Sequence, residues 1–124
     1  MARKFTPEQA NKTLPLVRLI VADILLKGRL YRELQCGNND GRALEQLERV
    51  HSELHELVHE LEKIGCLFKD VHSEFGLVDF PAEINGLDVE LCWRSDESSV
   101  AWYHTCDGGY AQRQPIPTEL YEQA

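Results

Sequence analysis

The chain has 124 residues, a formal net charge of −8 and a pI near 5.0. That length suits a single domain, residues 1–124, with a core large enough to need no disulfide or metal staple. The acid is not offset by any Lys/Arg stripe, and no apolar run approaches the ~20 residues that span a bilayer, so neither nucleic acid nor membrane is an expected partner.

The first residues, Met1-Ala-Arg-Lys-Phe5, lead into a helix signal and not into a signal-peptide apolar core, which points to a cytoplasmic protein. Four cysteines, Cys36, Cys66, Cys92 and Cys106, form no Cys-x-x-Cys pair. In a cytoplasmic chain they are expected to be reduced, small and mostly buried.

Thr6-Pro-Glu-Gln9 is a helix start, with Thr6 as cap, Pro7 in the first helical position and Gln9 closing a capping box. Pro15 disfavours helical geometry at Leu14 and lacks an N–H, so the helix is expected to break at Thr13-Leu-Pro15 and restart toward Gln35. Leu14, Val17, Val21 and Ile24 form one apolar row, which Gly28 and Tyr31 continue. Leu16, Ile20, Leu30 and Leu34 form a second row beside it.

Cys36-Gly-Asn-Asn-Asp-Gly41 is turn chemistry, with Asp40 placed to cap a second helix that ends at Gly65. Leu47, Val50, Leu54, Leu57, Leu61 and Ile64 make a heptad seam along it. Two helices of similar length joined by a short loop imply an antiparallel hairpin over 7–65. Its apolar rows face more than one way, which implies a homodimer through the helices.

The period then shortens over about 75–116. Gly76–Phe80, Leu87–Trp93, Val100–His104 and Tyr110–Ile116 are expected strands. Pro81, Asn85-Gly86, Ser95-Asp-Glu97 and Asp107-Gly-Gly109 are the turns between them. Leu87, Val89, Leu91 and Trp93 alternate with Asp88, Glu90, Cys92 and Arg94, giving one dry and one polar face. The fold class is α+β: a long antiparallel helical hairpin packed on a small antiparallel β-meander of three to four strands. The polar tail, 117–124, is expected to fray.

Two constellations carry chemistry. His55-Glu-Leu-Val-His59 matches the H-E-x-x-H pattern, in which His55 and His59 would hold zinc and Glu56 would act as base. Its histidines, with His51, rotate away from the heptad seam toward solvent. The only other histidine nearby is His72, at no recognised protease spacing, so a solvated His/Glu face is the plainer reading.

In the β part, Asp79, Glu97 and His104 are candidates for a divalent metal such as Zn, Mn or Fe, with Cys92 as a soft ligand. Arg113 is a candidate to pair with Asp79 or to bind an anion. The structural alternative is that these groups satisfy turn amides and one another. Trp93 and Trp102 are expected in the core.

Lys69-Asp70, Gly76-Leu-Val-Asp-Phe-Pro-Ala82, Gly86, Val89, Leu91-Cys-Trp93, Glu97, Trp102, His104, Gly109-Tyr110 and Arg113-Gln-Pro115 together resemble a small prokaryotic family, domain of unknown function 2203. Phe5, Ala10-Asn11 and Leu14-Pro15 fit the family's opening, and Asp96 stands where it usually has glycine. The His55–His59 motif falls in the family's variable helical middle. The resemblance implies no activity. The residues imply a dimeric interaction or ligand-binding module. The alternative is a metal-dependent enzyme of hydrolase type, at the carboxylate/His site of the β part or at His55/His59. No P-loop, Rossmann glycine pattern or Ser-His-Asp order is present.

Overall fold

A computed structural model describes residues 3–37, 41–69 and 75–122. Asp40, the expected cap of the second helix, and Asp70 and His72 lie outside the described residues. Helix α1 spans Pro7–Gln35 and α2 spans Gly41–Ile64. Five strands follow: β1 Leu67–Phe68, β2 Leu77–Ile84, β3 Leu87–Arg94, β4 Trp102–Thr105 and β5 Gln114–Pro115. They form one antiparallel meander in the order β1-β2-β3-β4-β5. The class is α+β with a long helical hairpin, and the sheet has five strands where three to four were expected.

Thr6 caps α1 through a full capping box with Gln9. The expected break at Pro15 does not occur, and α1 runs straight through it. Proline removes one donor, the N–H that would reach Asn11 O, while Leu14 and Val17 on either side of it are buried in the core, and that packing holds the helix across the gap. Helix α2 ends where Gly65 adopts φ 112°, donating its N–H to Leu61 O and Glu62 O.

The first apolar row of α1 is buried against the dry face of the sheet. Leu14, Val17, Val21 and Ile24 join Val78, Phe80, Leu91 and Trp93 in one core, with Leu61 from α2. The second row divides: Ile20 is buried, whereas Leu16 and Leu30 are exposed.

Two prolines were misleading because backbone direction matters more than composition. Pro81 lies inside β2, not in a turn. Its carbonyl faces away from β3 and accepts the Phe5 N–H at 2.7 Å, so its own nitrogen faces the same way and no ladder bond to β3 is lost. The strand therefore runs on to the Asn85-Gly86 turn, where both residues have positive φ (52° and 80°).

Tyr110–Ile116 is not a strand throughout. Tyr110–Gln112 is a 3-10 turn, and only Gln114–Pro115 pairs with β4. The expected fraying of the tail is not what residues 117–122 do: Thr118–Glu122 forms a 3-10 helix, Leu120 and Tyr121 pack on the core, and Tyr121 Oη donates to Val100 O.

Helix α1 also grips the loop between β3 and β4. Asn11 pairs with both backbone groups of Val100, accepting its N–H at 2.8 Å and donating to its carbonyl at 3.1 Å. Arg18 donates to the carbonyls of Glu97 and Ser98. These contacts set the position of β4 and of the residues it carries. No helix among the described residues is long and apolar enough to cross a membrane.

Candidate functional site

The face of the sheet turned away from the helices holds most of the candidates. Strand alternation puts Asp79, Cys92 and His104 on that side, and register brings them together: Asp79 is opposite Cys92, and His104 is opposite Glu90 one step along. One ligand-type atom each from Asp79, Cys92 and His104 lies within 4.8 Å of the others, and all three residues are buried. They line a pocket of about 140 Å³, together with Lys69, Cys106, Gly109 and Tyr110.

The proton inventory of this pocket is specific. His104 Nδ1 lies 2.8 Å from Thr105 O, an acceptor only, so Nδ1 carries a hydrogen. In a neutral ring Nε2 then presents a lone pair, and it lies 3.2 Å from Asp79 Oδ2. Two acceptors at that distance need a proton between them. Burial, and then a hydrogen bond with Glu90, push the Asp79 carboxyl up to about 7, against the pull of His104. Burial, followed by the nearby Asp79 charge, pushes the Cys92 thiol up to about 12, although Arg113 pulls it down. Without a cation, the pocket holds the Cys92 thiol and a proton between Asp79 Oδ2 and His104 Nε2.

The sequence pattern marks Glu90 only as part of the polar face. Its carboxylate lies 3.9 Å from His104 Nε2 and lines the same pocket. The signal was the alternation itself, since Glu90 is two residues from Cys92 on one strand and must share its side.

Glu97 and Arg113 sit elsewhere. Arg113 makes a bidentate pair with Glu97 at 3.0 and 2.9 Å and stacks over Tyr110 and Trp102 at 4.3 and 5.0 Å. Glu97 also accepts the Arg94 N–H at 2.7 Å, and its backbone carbonyl accepts from the indole of buried Trp93 at 2.9 Å. This arrangement locks the corner beside the pocket. It pairs Arg113 with Glu97 and not with Asp79.

His51, His55 and His59 are exposed on α2. His59 lies 4.0 Å from Glu62, and no third ligand-type residue converges with His55 and His59 among the described residues. All four cysteines are free, but only Cys66 and Cys92 are buried, fewer than expected.

Fold and site together define a small α+β protein: a helical hairpin covering one face of an antiparallel sheet, with a buried acid–thiol–imidazole cluster on the other. The chain belongs to the family described as "Uncharacterized conserved protein (DUF2203)", whose model matches residues 3–116. Among curated proteins, a 40-residue stretch is 45% identical to part of "Highly reducing polyketide synthase alnA" of Emericella nidulans. That match covers 32% of this chain and 2% of the synthase. No solved structure matches the chain.

Proposed function

We propose that this protein is a ligand-binding module whose ligand, in the Asp79–Cys92–His104 pocket, is a divalent transition metal of the zinc class. The observation behind this reading is the buried convergence of one oxygen, one sulfur and one nitrogen donor within 4.8 Å. A mixed N/O/S set suits Zn²⁺ or Fe²⁺ better than the oxygen-seeking Mg²⁺, Ca²⁺ or Mn²⁺. The His104 tautomer supports it, because a hydrogen on Nδ1 held by a backbone carbonyl leaves Nε2 to coordinate. A cation would displace the shared proton and the Cys92 thiol hydrogen, since metals bind the deprotonated forms.

Three protein ligands leave a tetrahedral ion one position for water or a substrate, as catalytic sites do. Glu90 faces that region and is the residue placed to accept a proton there. This is the form in which an enzyme of hydrolase type would use the pocket. Elemental analysis of untagged, purified protein tests the reading. About one zinc or iron per chain, lost in His104→Ala, is expected; a wild-type protein that stays metal-free after incubation with Zn²⁺ refutes it.

A second observation favours self-association. Leu16, Leu19, Leu26 and Leu30 on α1 are 52, 69, 59 and 41% exposed and follow a seam of three- and four-residue steps interrupted by Asp23. We infer a homodimer across this stripe. Sedimentation equilibrium checks it: Leu19→Glu should shift the wild-type dimer to monomer, and a monomeric wild type would end the idea.

A further inference from the structure

A cavity larger than the pocket of the acid–thiol–imidazole cluster lies away from it. It is a groove of about 610 Å³ between α1 and α2, within the range of small-molecule sites. Its two ends differ chemically. Ile24 and Leu25 of α1, Val58 of α2 and Phe68 of β1 make an apolar end near the sheet. Eleven residues along α1, roughly 16 Å at the helical rise, the lining reaches Arg32 and Gln35, with His51 across on α2.

Two features turn this shape into a specificity. First, no lining residue is acidic, although the chain carries 21 Asp and Glu against 13 Lys and Arg. Arg32 has no ion pair among the described residues, and its guanidinium is the fixed positive charge of the groove. Second, Gly28 lies in the groove wall in mid-helix, where glycine costs about 1 kcal/mol relative to alanine. A Cβ there would meet nothing closer than Arg32 Nη1 at 3.7 Å, so packing does not demand the glycine. It leaves space beneath the guanidinium.

We propose that the groove binds a monoanionic amphiphile, a carboxylate on a medium-length apolar chain, with the chain against Val58 and Phe68 and the head on Arg32. The site is separate from the pocket of Asp79, Cys92 and His104, and its ligand does not depend on a metal there.

Isothermal titration of the full chain with decanoate and with decan-1-ol, below their aggregation limits, tests it. Saturable binding of one decanoate per chain is expected, with the alcohol about ten-fold weaker, as one charge-assisted contact implies. Arg32→Gln, an exposed position, should weaken decanoate about ten-fold and leave the alcohol unchanged. Gly28→Leu should weaken both by filling the groove, with circular dichroism confirming the fold. Equal affinities for acid and alcohol, unaltered by Arg32→Gln, overturn the proposal. So does an absence of saturable decanoate binding, including the case where sedimentation shows a second copy of the chain in the groove.

Discussion

Two acid–base pairs lie side by side on the polar face of the sheet, and they solve burial in opposite ways. At the corner, Glu97 meets Arg113, a permanent cation whose fork matches both carboxylate oxygens, and every partner is fixed. In the pocket, Asp79 meets His104, whose charge depends on a proton, and the carboxyl is driven up to about 7. The corner has no chemical task left. The pocket holds its groups together only with an exchangeable proton, and a cation is what competes for that place. Arg113 connects the two, since it also draws down the Cys92 thiol.

The comparison breaks most visibly at the corner. Arg113→Ala leaves a mostly buried Glu97 without its cation and removes packing on Trp102 and Tyr110. We expect a loss of about 2–3 kcal/mol in urea unfolding. A change below about 0.5 kcal/mol would mean that the corner is not structural.

Asp79→Asn in chelator-treated protein should have the opposite sign. The folded carboxyl titrates near 7 and the unfolded one near its ordinary 3.8, so the native state binds the extra proton between these values. Wild-type stability from this group is full below about pH 4 and declines as pH rises to about 7. Asparagine does not ionise and can still donate to Nε2. The variant should match wild type near pH 4 and exceed it by up to about 4 kcal/mol at pH 8. Thermal melts across that range check it, and a variant less stable than wild type at pH 8 would show that Asp79 is stabilised as an anion.

The smallest effect is expected on α2. His55→Ala/His59→Ala changes an exposed face, so metal content and stability should stay within about 0.5 kcal/mol and the same stoichiometry. Loss of metal there alone would move the site to the H-E-x-x-H motif.

Local signals were legible in this chain, and pairings were less so. Thr6-Pro-Glu-Gln9, Gly65 and Asn85-Gly86 declare themselves, because capping and positive φ are properties of a few neighbouring residues. Pro15 and Pro81 misled, because their cost depends on how firmly the flanking residues are packed and on which way a nitrogen faces. Asp79, Cys92 and His104 were recognisable as chemistry-bearing residues. That they meet, while Glu97 turns aside to Arg113, follows from strand register and from the short β5, which a residue pattern does not contain. Glu90 was visible in the alternation of β3 but gained meaning only when His104 was placed opposite.

The most direct test is cobalt substitution. Co²⁺ added to metal-free protein should give a sulfur-to-cobalt charge-transfer band saturating at about one ion per chain, absent in Cys92→Ser and retained in Cys106→Ser. No such band in the wild type, or a band that survives Cys92→Ser, would contradict a metal held by Asp79, Cys92 and His104.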